Sequence, residues 1–410
     1  MKVLAKNAKV PRVALLIETS RSYGRDLLVG IAQYVRSNGP WSIEFQEGDP
    51  TERLPDWFRN WHGDGIIARV KTNEIASAVL KRHLPAVDLY CGLPELKMVS
   101  LRSDEGLVGR LAALHLLERG FQHYAFSGFN GVEWSNLRGN GFRQCIAEAG
   151  FPCQAFENPH PPASITPIEY EEHGLKYDNE LAQWIKSLPK PIGLMACNDV
   201  RARQILKACR DLGLAVPDEI AVIGVDNDAV LAELSDLPVS SVILNTQRIG
   251  FESASLLDKI MRGEIPPKNT ILIEPLGVAT RRSTDTLSVR DPNLAKALLF
   301  IRDHACEPIN IDGVAAFAGL SRSVLQRKFR TTFHRTIHEA IIKARLKRAS
   351  ELLVGTDISM IDVAEKSGFK HCEYMAAVFK SHLGKTPSQI RNEAQLRVYN
   401  HAAVVPQKGL

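Results

Sequence analysis

Between Arg12 and Asp228 the sequence keeps repeating one pattern: a short run that is apolar at every position, then a stretch with apolar residues at helical spacing. "RVALLIE" (12–18) is followed by "YGRDLLVGIAQYVRSNG", where Leu27, Leu28, Ile31, Tyr34 and Val35 recur on one helical face and Gly39 supplies a stop. "DGIIARV" (64–70) precedes a helix from about Asn73, and "AVDLY" (86–90) is a further apolar run. The pattern continues with a helix over Glu105–Gly120 and the strand "HYAFSG". "IGLMACND" (192–199) then precedes the helix "VRARQILKACRDLG", and "IAVIGVDND" (220–228) follows. Strands that are apolar throughout, separated by helices, predict parallel sheets covered on both faces. There are too many such units for one small sheet. Two lobes are expected, near 11–102 and 105–240, with the helix at 244–264 returning to the first. Ligands of such sheets bind at the carboxyl ends of the strands, in the cleft between lobes.

Composition narrows the function classes. No run reaches the ~18 apolar residues of a membrane span, and "VALLI" near the N-terminus is too short for an export signal. Seven cysteines with no C-x-x-C pair argue against a disulfide framework and a zinc site. The expected location is therefore the cytoplasm. No G-x-G-x-x-G follows a strand, and there is no P-loop, G-x-S-x-G or H-E-x-x-H, so neither an enzyme nor a bound cofactor is expected. The charge is unevenly placed. From Thr286 onward there are 19 Lys+Arg against 11 Asp+Glu, whereas the preceding 285 residues hold 32 against 35. A basic module joined to a mildly acidic one fits a polyanionic partner, although a solvated basic surface would look the same.

The strand ends carry a distinctive polar set. "SRSYGR", "NGVEWSNLR", "CND" and "GVDND" supply Arg, Asp, Asn, Ser, Tyr and Trp. Carboxylates and amides match paired hydroxyls, arginine offers a rigid fork, and a ring such as Trp134 can pack on the apolar face of a sugar. The set suits a small, neutral, polyhydroxylated ligand, while Asn and Asp also favour turns for local reasons.

Residues 11–285 resemble the periplasmic-binding-protein-like effector domain of LacI/GalR-type regulators. The resemblance rests on "IGLMACND", "IAVIGVDND", Arg138-x-x-Gly141-Phe142 and "SDEGLVGRLAALHLLERG". It implies that Arg138, Asp226, Asn198 and Asp199 line a sugar cleft, joined by Ser20, Ser22 and Tyr23 from the first loop. A salt bridge alone would also account for Arg138 and Asp226. Asp104 is a further candidate, with a helix N-cap as its alternative role. Regulators of that family carry a helix-turn-helix ahead of this domain, whereas here only about ten residues precede the first strand. The DNA reader is expected elsewhere.

It is expected in the C-terminal part, beyond the polar boundary "RRSTDTLSVRDPN". "IDGVAAFAG" reads as a short helix ended by Gly319, followed by "LSRSVLQRKFRTTF" with Ser321 as N-cap. Arg322, Ser323, Gln326, Arg327 and Arg330 fall on the exposed side of that second helix. The arrangement is helix, glycine turn, exposed polar helix. It recurs as "SMIDVAEKSG", Gly368 and "HCEYMAAVFKSHLG", whose polar groups are His371, Glu373 and Lys380. "TIHEAIIKARLKRASELL" links the two units. The segment resembles the AraC/XylS-type DNA-binding domain, most specifically in "AEKSGF" and "GKTPSQIR". Met375 and Ile390 depart from that family's usual residues but remain apolar. The second reading helix offers Cys372, Ala376 and Ala377, so the first is expected to dominate base readout, each arginine contacting either a base or a phosphate.

The expected architecture is thus an α/β two-lobed periplasmic-binding-protein-like domain with parallel sheets (11–285), an all-α double helix-turn-helix domain (286–395) and a disordered tail (396–410). This order of modules resembles regulators of pentose catabolism. It implies a sugar-responsive activator with D-xylose as effector, double-stranded DNA as partner, a homodimer, and RNA polymerase as a further partner. Another sugar, repression, or sugar binding without a transcriptional role are the alternatives.

Overall fold

The computed structural model describes residues 10–49, 54–93, 98–129, 131–156, 178–233, 237–267, 270–286, 291–333 and 335–392. The expected tail at 396–410 lies outside the described residues. The chain divides into two compact units, Met1–Thr286 and Leu287–Leu410.

The first unit holds two six-stranded sheets. Five strands of the first come early: β1 (Arg12–Leu16), β2 (Ser42–Phe45), β3 (Gly65–Ala68), β4 (Ala86–Asp88) and β5 (Val99–Ser103). The second takes β6 (Tyr124–Ser127), β7 (Cys153–Phe156), β8 (Ile192–Ala196), β9 (Ile220–Val225) and β10 (Ser240–Ile243). β11 (Ile271–Ile273) then returns to the edge of the first sheet, and β12 (Gly277–Ala279) pairs antiparallel with β10 in the second. Every other pairing is parallel. The chain therefore crosses between lobes three times, after β5, after β10 and after β11.

Helices cover both faces of each sheet: α1 (Ser22–Asn38), α2 (Asp56–Arg59) and α3 (Asn73–Leu80) in the first lobe, then α4 (Glu105–Leu117), α5 (Glu133–Glu148), α6 (Asp178–Ser187), α7 (Asp199–Asp211) and α8 (Ala229–Glu233). α9 (Thr246–Met261) returns to lie against α1, with Leu27, Ile249 and Leu257 in one cluster. Two-sided burial is visible within single strands. Tyr124 and Phe126 join the cluster under α4 and α5, whereas Ala125 between them joins the cluster under α6 and α7. This is why β3, β8 and β9, buried at every residue, read as continuous apolar runs. Several strands that sequence reading passed over lack that signal. β2 is exposed at three of its four residues, and β11 and β12 are three residues each.

The second unit is helical: α10 (Pro292–His304), α11 (Ile311–Ala318), α12 (Arg322–Phe333), α13 (Ile337–Gly355), α14 (Met360–Lys366) and α15 (Cys372–Leu383). Its apolar residues form two clusters. Ile337, Ala340 and Ile341 of α13 join α10, α11 and α12, while Ile342, Leu346, Ala349, Leu352 and Leu353 join α14 and α15. One helix thus closes both cores. Reciprocal capping boxes at Thr336/Glu339 and Ser359/Asp362 fix where α13 and α14 begin.

Candidate ligand cleft and DNA-reading helices

Arg138 sits at the centre of the second lobe's wall. α4 and α5 cross with almost no space between backbones. A Cβ on Gly109 would lie 2.0 Å from the Arg138 carbonyl, and one on Gly141 2.1 Å from that of Gly106. This contact gives the R-x-x-G-F motif its physical sense: the glycine lets α4 approach until Glu105 meets the arginine. Arg138, 3% exposed, donates from Nε to Glu105 Oε2 at 2.6 Å and from Nη1 to the Cys197 carbonyl at 2.8 Å. Its Nη1 is 3.6 Å from Asp226 Oδ1, and its guanidinium lies 4.8 Å from the Trp134 ring centre. Burial alone would lower its pKa, but Glu105 and Asp226 outweigh it and raise the pKa above the ordinary arginine value.

Asp226 is held there by an unusual backbone. Its φ is +101° and that of Asn227 is +55°, a region few non-glycine residues occupy. The Asn227 amide donates to Ser241 Oγ at 2.9 Å, and Arg281 donates to Asn227 Oδ1 at 2.7 Å. Asp199, buried beside them, accepts from the Ser241 hydroxyl at 2.8 Å and from the Asp228 amide at 3.1 Å. Burial, then the neighbouring Asp226 charge, pushes its pKa up to about 8. Asn198 caps α7 by accepting from the Arg201 amide at 2.9 Å.

The first lobe faces this wall with a different set. Arg69 pairs with Glu18 and lies 4.7 Å from the Tyr23 ring centre and 5.3 Å from that of Tyr90. Tyr23 packs against the cores of both lobes, and burial, then the Glu105 charge, raises its phenol pKa. At the rim, Arg102 of β5 donates to Glu133 of α5 at 2.9 Å, an ion pair that joins the lobes. Together these residues enclose a cavity of about 100 Å³. The first lobe lines it with Arg21, Arg69, Lys71 and Arg102 beside Glu18, the second with Glu105, Asp199, Asp226 and Asp228 beside Arg138. Cations face acids across the gap, which draws the lobes together.

Of the residues expected in a cleft, Ser22, Tyr23, Trp134, Arg138, Asn198, Asp199 and Asp226 line this one. Ser20 and Asp104 are not brought to it. The Ser20 carbonyl accepts from Arg25 at 3.0 Å, and Asp104 Oδ1 caps α4 by accepting from the Leu107 amide at 2.9 Å. Asp104 takes the cap and Glu105, one residue later, takes the cavity. Sequence reasoning missed Glu18, Arg69, Arg102 and Glu105. The available signal was an acid closing an apolar run at Glu18; nothing local marked the other three.

In the second unit, Gly319 (φ +68°) and Gly368 (φ +80°) turn the chain between the paired helices α11/α12 and α14/α15. A side chain at Gly368 would also meet the Cys306 backbone at 2.7 Å. Arg322, Ser323, Gln326, Arg327 and Arg330 are exposed on α12, with Leu325 and Phe329 buried beneath. Arg322 is tied to Asp312 of α11 at 3.1 Å. His371, Glu373 and Lys380 are exposed at α15, where Lys380 Nζ donates to the Gly384 carbonyl at 3.2 Å. Cys372 and Ala376 are half-buried and Ala377 exposed. Met375 is buried and Ile390 packs on the same cluster, so both departures from the family pattern serve the core. The 19 residues of α13 span about 28 Å, a length suited to setting two readers about one DNA turn (~34 Å) apart.

Family models match both units: a periplasmic binding protein-like domain at residues 113–284, a helix-turn-helix domain at 314–393 and the XylR N-terminal domain at 12–94. The xylose operon regulatory protein of Escherichia coli (strain K12) is 32% identical over 391 residues, covering 93% of this chain and 97% of that one. The chain belongs to the xylose operon regulator family. Its Haemophilus influenzae relative, also a xylose operon regulatory protein, is 31% identical over 393 residues, 93% of this chain and 98% of the other. Among solved structures, a xylose-binding transcription activator matches 94% of this chain and 98% of its own at 30% identity, with a TM-score of 0.59. A ribose-bound LacI family regulator from Enterococcus faecium shares the sensor fold, covering 68% of this chain and 99% of its own at 20% identity with a TM-score of 0.52. The chain is accordingly a DNA-binding regulator of transcription with a sugar-sensor fold. Among the described residues no helix is long and apolar enough to cross a membrane, and no cluster of metal-ligating side chains occurs.

Proposed function

We propose that this chain activates a pentose catabolic operon in the cytoplasm, with D-xylose as its effector in the cavity between the two lobes. The observation that carries the reading is the Glu105–Arg138–Asp226 array beside Trp134, with Glu105 and Arg138 buried and Asp226 half-buried. An arginine held between two acids offers both donors and acceptors to adjacent hydroxyls. Tyr23, Ser22, Asn198 and Asp199 complete the wall. The names of the relatives support xylose over other sugars.

The sensor is assigned to 11–285 and the reader to 286–395. Arg322, Ser323, Gln326, Arg327 and Arg330 meet one major groove of double-stranded DNA, and His371, Glu373 and Lys380 the next. Two chains pair as a homodimer. Sugar closes the lobes and alters how the two copies present their readers, with RNA polymerase recruited at the promoter. A switch of this kind needs the ligand to favour one state by about 1–3 kcal/mol.

The test is a thermal-shift panel of pentoses and hexoses on the full chain. D-Xylose at 100 times its Kd adds about 2.7 kcal/mol to sensor stability, and it changes the chain's affinity for its promoter. No shift with any sugar overturns the reading.

A further inference from the structure

Glu18 lies two residues beyond β1 and is 1% exposed, yet it lines the ligand cavity. A carboxylate has about four acceptor positions. Arg69 occupies Oε1. The other oxygen, Oε2, is buried, and among the described residues no donor reaches it. Leaving a buried charged acceptor unmatched is costly, so native structures rarely keep one without a reason. Glu18 lines the cavity, so a bound ligand is a source for the missing donor.

The surroundings define what that donor is. Arg21, Arg69, Lys71 and Arg102 share this wall, so an ammonium group or a metal ion arriving at Glu18 would meet four cations. A ligand carboxylate would meet Glu18 itself and has no proton to offer. A neutral hydroxyl has a proton to give and no charge to repel. Next to it, Arg69 is held between Tyr23 and Tyr90, which fixes the orientation of its fork.

We propose that Glu18 is a specificity-determining residue: its Oε2 accepts a hydrogen bond from one sugar hydroxyl while Arg69 donates to the neighbouring hydroxyl. The cleft then holds two carboxylate–guanidinium clamps on opposite walls, Glu18–Arg69 in the first lobe and Glu105–Arg138–Asp226 in the second. A ligand must present hydroxyls at both of its edges to satisfy them, and a sugar deoxygenated at the edge facing Glu18 is rejected. This rests on the reading that a sugar occupies the cavity.

The experiment is isothermal titration of the full chain and of Glu18→Gln with D-xylose and its monodeoxy analogues. Glu18→Gln should weaken D-xylose binding about 10- to 100-fold, the range for losing a buried charge-assisted hydrogen bond. In the wild type one deoxy position should carry a penalty that disappears in Glu18→Gln while the other penalties persist. Unchanged D-xylose affinity in the variant, or a uniform loss across all analogues, overturns the assignment. A wild type that binds no sugar overturns the functional reading itself, so the two failures are distinct. Melting curves and sugar-free DNA affinity report whether the variant folds. If it does not, Glu18→Asp serves in its place, since it keeps the charge for Arg69 but draws the carboxylate back from the ligand.

Discussion

The two halves of this molecule keep their functional groups in opposite ways. In the sensor they are buried and come from segments far apart in sequence: Glu18 meets Arg69 across 51 positions, Arg138 meets Glu105 across 33 and the Cys197 carbonyl across 59. In the reader they stand exposed along single helices, over cores built from the same short stretch of chain. Buried charges depend on every partner being present, because a charge stripped of its counter-ion inside a protein is strongly destabilising. Exposed ones act nearly independently. Sensing should therefore be fragile and collective, and reading robust and divisible.

Substitution at Arg138 tests the fragile side most severely. Arg138→Ala strands Glu105 in the interior and should cost the sensor about 3–5 kcal/mol of stability together with all response to sugar. Sugar-free DNA affinity should survive. Parallel melting and gel-shift measurements separate these outcomes, and a variant that still responds to sugar would erase the contrast between the halves.

The divisible side is sharpened by Arg327→Ala on α12. A lost base contact costs about 1–3 kcal/mol and relaxes preference at one base pair, whereas a lost phosphate contact weakens all sequences alike and lowers the salt slope. Footprinting over operator variants at two salt concentrations distinguishes the two, and sugar affinity should not move in either case.

A pH-dependent effect reports on collectivity within the sensor. The folded-state pKa of Asp199 is raised to about 8, against about 3.9 for an unfolded chain. Between those values the folded protein binds the extra proton, so this residue's contribution to stability declines as pH rises and is gone above the folded pKa. The slope is at most about 1.4 kcal/mol per pH unit. Asp199→Asn should flatten that part of the melting-temperature profile from pH 5 to 8. An unchanged profile would mean that burial and the Asp226 charge do not hold a proton on Asp199.

These contrasts also mark what could be read from the chain alone. Strand–helix alternation, the three-residue spacing in R-x-x-G-F and the repeated helix–glycine–helix units were legible, because each depends on neighbours within a turn or two of backbone. A doubly wound sheet pair and a double reader follow from patterns of that range. Of the first-lobe half of the cleft, Ser22 and Tyr23 were legible, whereas Glu18 and Arg69 were not. Whether Asp104 or Glu105 reaches Arg138 depends on how closely α4 and α5 approach, and that distance is set where Gly109 and Gly141 face each other's helix backbones. Glu18 and Arg69 become partners only when β1 and β3 align side by side. A local pattern reports the dihedral preferences and solvation of a few residues. The meeting of charges from separate strands is settled by packing, which no short window of sequence contains.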